Sequence, residues 1–217
     1  MSLFNCVSII GVGLLGGSLA KVIRKLNLAN LIVGYGRNKA NLEEAKKLNI
    51  IDQVAPDIQS AVKDSDLIIL CSPVRTIGKL IMDMAPYIKP GCLVTDVGST
   101  KENLVLEIEK SVPKDVFFVG AHPIAGGEAS GFHLSSDTLY EGAHCIITPT
   151  EKTDPVALKR ITKFWETVGM KVSQMDVKEH DFIFGAVSHL PHVLIFALMN
   201  TLGSLKSDNH DEITSFS

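Results

Sequence analysis

Short apolar runs with β-branched residues recur along most of the chain, and each is followed by a stretch whose apolar residues return at helical spacing. Cys6–Ile10, Leu31–Tyr35, Leu67–Leu70, Leu93–Thr95, Val116–Gly120, His144–Thr148 and Lys171–Gln174 predict strands. Leu14–Leu26, Lys39–Leu48, Thr76–Met84, Lys101–Ser111 and Val156–Val168, which contains Trp165, predict helices, and Ala61–Asp66 leads into the third strand. Strands that alternate with helices imply a mostly parallel, doubly wound α/β sheet covered on both faces. From Val177 the pattern changes. KEHDFIFGAVSHLPHVLIFALMNTLGSL lacks strand alternation and predicts one long helix, interrupted near Pro191, which supplies no backbone N–H. The expected division is a dinucleotide-binding domain over 1–176 and the start of an all-helical domain over 177–217.

Gly11, Gly13 and Gly16 follow the first strand in G-x-G-x-x-G spacing, with Leu14 and Leu15 opening the helix. This placement identifies a Rossmann-type turn. The first glycine permits the bend, the second lets backbone approach a pyrophosphate, and the third lets helix pack on strand. A carboxylate for the ribose hydroxyls is expected about 20 residues on, at the end of the second strand. Gly36 and Arg37 stand there instead, so local chemistry admits NAD or NADP. Further polar clusters follow later strands. Ser72, Pro73 and Val74 are expected to wall the cofactor cleft, Asp96 to Lys101 closes the next strand, and His122-Pro123 opens a glycine-rich loop. A histidine directly after a buried strand suits a general base, with Ser99 to orient it.

The net charge of −3 provides no broad basic surface for nucleic acid or an anionic membrane. Cys6, Cys71, Cys92 and Cys145 lie far apart without a C-x-x-C, which suits a reducing cytoplasm. The apolar stretch Leu3–Ala20 has no positive region before it and holds the glycine turn, so it is not expected to be a signal or anchor. Ser188, His189 and His192 share a helix face, but no H-E-x-x-H or cysteine partner accompanies them, and no metal is expected. A polar pair lining a substrate pocket fits better. Ile183–Leu202 is apolar on nearly every face and requires a cover. Lys178, Glu179, His180 and Asp181 argue against lipid, so the expected cover is another subunit or chain following Ser217.

Four segments together resemble the prephenate dehydrogenase family, which includes arogenate and cyclohexadienyl dehydrogenases of tyrosine biosynthesis. They are TDVGSTK (95–101), VGAHPIAGGEASG (119–131), LYEGAHCIITPT (139–150) and EHDFIFGAVSHLPH (179–192). The resemblance implies oxidative decarboxylation, with hydride passing to NAD or NADP and the ring carboxylate leaving as carbon dioxide. It also implies a homodimer built through the C-terminal helices. By the same resemblance His122 is the catalytic histidine and Ser99 its partner, while Lys101, Glu128, Ser188 and His192 contact the substrate. The family pattern departs at Gly36, where many relatives carry Asp, and it continues beyond this sequence through a Gly-Gly-Gly-Phe segment and a substrate-binding arginine. A chain ending at Ser217 is therefore expected to bind dinucleotide and to hold substrate poorly. Two other readings compete: a β-hydroxyacid-type dehydrogenase, which leaves the SHLPH segment without a role, and a non-catalytic dinucleotide sensor.

Overall fold

A computed structural model describes residues 2–126 and 131–204. Eight strands form a single sheet in the order β3-β2-β1-β4-β5-β6-β7-β8. They are β1 (Phe4–Ile10), β2 (Ala29–Tyr35), β3 (Gln53–Val54), β4 (Leu67–Leu70), β5 (Leu93–Asp96), β6 (Phe117–Pro123), β7 (His144–Thr148) and β8 (Lys171–Gln174). Every pairing is parallel except β6 with β7. The helices are α1 (Leu14–Lys25), α2 (Lys39–Lys47), α3 (Ile58–Val62), α4 (Val74–Met84), α5 (Glu102–Ser111), α6 (Pro155–Thr167), α7 (Val177–Phe184) and α8 (Leu190–Ser204).

Alternation along the central strand divides the core into two layers. Val7 and Ile9 of β1 pack with Leu19 and Ile23 of α1 and with Phe164 and Trp165 of α6. Cys6 and Ile10 point the other way, to Ile77 and Ile81 of α4 and Leu104 and Ile108 of α5. The predicted strands and larger helices are present. The short β3 and α3, between the second and third predicted strands, are additions: neither is long enough to carry a periodic signal. The fifth predicted strand extends farther than expected. Antiparallel pairing with β7 aligns His122 with Ile146 and Pro123 with Cys145, so His122 lies inside β6 rather than in the loop after it.

Asp176 caps α7, its side chain accepting the backbone N–H groups of Lys178 and Glu179. The helix then runs from Val177 to Ser204 without ending at Pro191. A π-helical turn over Gly185–His189 joins α7 to α8, and this wider turn, just upstream of the proline, accommodates its ring and missing donor. By length and composition this helix is apolar enough to cross a membrane. Many of its apolar side chains are exposed, Phe182 at 79% and Phe196 at 68% among them.

Candidate active site

The glycine turn is shaped by close approaches. Gly11 adopts φ +107°, and a Cβ there would lie 2.7 Å from the Cys71 carbonyl oxygen. A Cβ on Gly16 would lie 2.1 Å from the Gly11 carbonyl oxygen, so α1 packs directly on the turn. Gly13 is different: nothing lies within 4 Å of its Cβ position. It occupies the N-cap of α1 without a capping side chain, which leaves the first N–H groups of the helix without a side-chain partner.

Two cavities open along the carboxyl ends of the strands. The larger, about 570 Å³, is lined by Gly11, Gly13, Gly36, Arg37, Ser72, Pro73 and, from α4, Arg75, Thr76 and Lys79. The smaller, about 330 Å³, is lined by Leu15, Val74, Gly98, Ser99, His122 and Pro123. Cys71, Ser72 and Pro73 line both and form the shared edge. The Ser72 hydroxyl is buried at that edge without a hydrogen-bond partner among the described residues. An open glycine cradle, an uncapped helix N-terminus and an orphaned hydroxyl between two joined cavities fit a dinucleotide lying across the strand ends. Leu14 begins α1 but lines neither cavity.

In the smaller cavity, His122 belongs to a chain of three side chains. Its Nδ1 lies 2.9 Å from Nε2 of His180, and Nδ1 of His180 lies 2.7 Å from the Asp181 carboxylate. Burial works to raise the Asp181 pKa, but hydrogen bonds from His180 and from the Lys101 and Glu102 backbone outweigh it, and the net shift is downward. Burial lowers the pKa of His180 despite Asp181. For His122, burial acts first and His180 and Lys101 add to it, so the imidazole is pushed down to about 3. Both rings are therefore neutral near pH 7. A carboxylate only accepts, so His180 carries its proton on Nδ1 and presents a bare Nε2. That nitrogen accepts the Nδ1–H of His122, which leaves Nε2 of His122 as a free lone pair. Phe184 packs edge-on against His122, with ring centroids 5.0 Å apart, and also covers His180 at 4.6 Å.

The backbone beside His122 is held by a second polar cluster. Asp96 and Lys101 form an ion pair with both side chains wholly buried. Asp96 accepts the Ala121 N–H at 3.0 Å, and Lys101 Nζ donates to the Ala121 carbonyl at 2.8 Å. Lys101 thus has no surface left for a ligand, and the expectation that it touches substrate is corrected: burial turns its ammonium inward to clamp β5 to β6. Asp181 links this cluster to α7, because its carboxylate also accepts the backbone N–H groups of Lys101 and Glu102 at the start of α5.

Ser99 is exposed and faces the same cavity as His122, but the orienting partner of the imidazole is His180. Ser188 and His192 are joined to each other, His192 Nδ1 lying 2.7 Å from the Ser188 carbonyl oxygen, and neither lines the cavity that holds His122. His192 is exposed on α8. Glu128 lies outside the described residues. Among those residues, no group of histidine, cysteine and acidic side chains is arranged to hold a metal ion. The reading from sequence missed His180 and Asp181 as site residues, although a polar pair directly before an apolar helix was a visible signal. It also missed Arg75 and Lys79, whose i, i+4 spacing puts them on one face of α4.

Comparison with known proteins bears on this arrangement. Residues 19–174 match the family description "Prephenate dehydrogenase, nucleotide-binding domain", and residues 176–217 match "Prephenate dehydrogenase, dimerization domain". The cyclohexadienyl dehydrogenase of Zymomonas mobilis is 31% identical over 217 residues, covering 100% of this chain and 74% of that protein. The prephenate dehydrogenase of Bacillus subtilis is 32% identical over 197 residues, covering 90% of this chain and 53% of that protein. The crystal structure of prephenate dehydrogenase from A. aeolicus, in complex with hydroxyphenyl propionate and NAD+, superposes with a TM-score of 0.88 at 38% identity, covering 97% of this chain and 77% of that one.

Proposed function

The chain belongs to the prephenate dehydrogenase family, and from that premise we propose that it oxidises a cyclohexadienol, prephenate or arogenate, with hydride transfer to NAD or NADP and loss of the ring carboxylate as carbon dioxide. When bound, the oxidised nicotinamide supplies the hydride acceptor. The larger cavity would hold the adenosine end of a dinucleotide, Gly13 and the N-terminus of α1 its pyrophosphate, and Ser72, Pro73 and Val74, at the edge shared with the cavity of His122, its nicotinamide end.

The observation that carries the proposal is the free Nε2 of His122, fixed as an acceptor by His180 and Asp181. His122 accepts the proton of the ring hydroxyl, Ser99 donates a second hydrogen bond to the same oxygen, and positive charge gathered on the imidazole is shared toward the Asp181 carboxylate through His180. Ser188 and His192 serve the carboxylate side of the substrate once a second copy covers α8, and Glu128 serves the same pocket. That cover also accounts for the bare apolar helix without lipid, in an enzyme of the cytoplasm. We set the boundary between the two domains at Asp176, the cap of α7.

The test is stoichiometry with prephenate and arogenate. Carbon dioxide released in equal amount to nicotinamide reduced supports the proposal, and reduction without carbon dioxide would replace it with a plain hydroxyl dehydrogenase.

A further inference from the structure

The larger cavity carries more positive charge than a dinucleotide pyrophosphate requires at the end away from His122. Arg37 follows β2, while Arg75 and Lys79 stand one turn apart on α4, and all three line the cavity beside Gly36. Each is exposed. Some basic side chains are held by acids, Arg24 by Asp52 and Lys89 by Asp66 among them, and none of these three has an ion-pair partner among the described residues. Asp83 is the single carboxylate among the described residues that line this cavity, against three cations. The first turn of α2, which begins next to Arg37, carries no acidic residue either. A chain of net charge −3 thus gathers unpaired cations around the end of its second strand, where a ribose-binding carboxylate is missing.

Resting on the dinucleotide reading above, we infer that Arg37, Arg75 and Lys79 form a cradle for the 2′-phosphate of NADP, and that this chain prefers the phosphorylated carrier. Arg37 and Arg75 approach from two different elements and offer forked donors to separate phosphate oxygens, and Lys79 adds a point charge. Gly36 leaves the cradle open, yet a side chain fits there: the nearest atom to its Cβ position is Leu42 Cδ1 at 3.9 Å, and its φ is not positive. Gly36→Asp therefore places a carboxylate where it repels a 2′-phosphate and accepts ribose hydroxyls.

Isothermal titration of the purified chain with NADP, NAD, 2′-AMP and 5′-AMP tests this without turnover. NADP is expected to bind at least about tenfold more tightly than NAD, and 2′-AMP more tightly than 5′-AMP, with both gaps shrinking as salt is raised. Arg37→Ala, Arg75→Ala and Lys79→Ala should each weaken NADP by about 3- to 30-fold while changing NAD less than about twofold, and Gly36→Asp should reverse the preference. The three side chains are exposed and make no hydrogen bond or ion pair among the described residues, so these variants fold. NAD binding as tightly as NADP, or equal losses for both carriers in the alanine variants, would overturn the cradle while leaving the dinucleotide reading intact. Binding of neither carrier would overturn both.

Discussion

Replacing His180 by Phe tests how the site sets the state of His122. A phenyl ring, somewhat larger than the imidazole, fills a position that is fully buried beside Phe184, but the acceptor for His122 Nδ1–H is gone. A buried donor without a partner costs about 1–3 kcal/mol. The imidazole escapes that cost by moving its proton to Nε2, where the cavity is open, and in that tautomer it no longer accepts from a substrate hydroxyl. The productive tautomer therefore falls by about 5- to 150-fold, and kcat with it, since RT is about 0.59 kcal/mol. Initial rates of nicotinamide reduction measure the loss, and ¹⁵N shifts of the His122 ring report the tautomer directly. Dinucleotide affinity should stay within about twofold, because His180 does not line the larger cavity. Combining His180→Phe with His122→Asn should be no worse than His122→Asn alone, as expected for residues acting as a unit. A kcat within twofold of the parent, or an unchanged tautomer, would show that His180 does not set the state of His122.

Further outcomes follow from the same geometry. Removing the base itself, in His122→Asn, should lower kcat by about 10²–10⁴-fold with little change in dinucleotide binding, and a rate within a few-fold of the parent would remove His122 from that role. Lys101→Met leaves the Asp96 carboxylate buried without its cation and should cost about 3–5 kcal/mol in denaturant unfolding, where a change under 1 kcal/mol would contradict a structural clamp. His122 has a folded-state pKa pushed down to about 3, below its unfolded value of about 6.5, so the unfolded chain binds the extra proton between these values. Its contribution to stability is complete above about pH 6.5 and is lost as the pH falls toward 3, at up to about 1.4 kcal/mol per pH unit. Unfolding at pH 7, 6 and 5 should show a shallower slope for His122→Asn than for the parent, and equal slopes would contradict the assignment.

The periodic signals that announced the fold came from long, buried elements. The strand β1 and the turn through Gly11, Gly13 and Gly16 are legible because each glycine answers a local demand, a bend, an open approach or a packed helix. The shorter α3 and β3 hold too few residues to show a period. The placement of His122 was legible to within a strand end. What shifted it into β6 is the pairing with β7, a partner more than twenty residues away in sequence, which no local pattern encodes. Lys101 illustrates a further limit: a lysine beside polar residues reads as a ligand contact, and only tertiary packing reveals the buried ion pair with Asp96. His180 and Asp181 were visible as polar residues ahead of an apolar helix, but their link to His122 spans 58 positions of chain. The apolar character of α8 was plain throughout, and the match of residues 176–217 to a dimerization domain supplies its context.

Oxidation of a cyclohexadienol by this chain with a nicotinamide carrier is read out by measuring nicotinamide reduction with prephenate and with arogenate, each against NAD and NADP. Turnover is expected with at least one of the two substrates, faster at low carrier concentration with NADP. Absence of turnover in all four pairings, with dinucleotide bound in the same sample, would contradict it and favour a dinucleotide-binding module without catalysis.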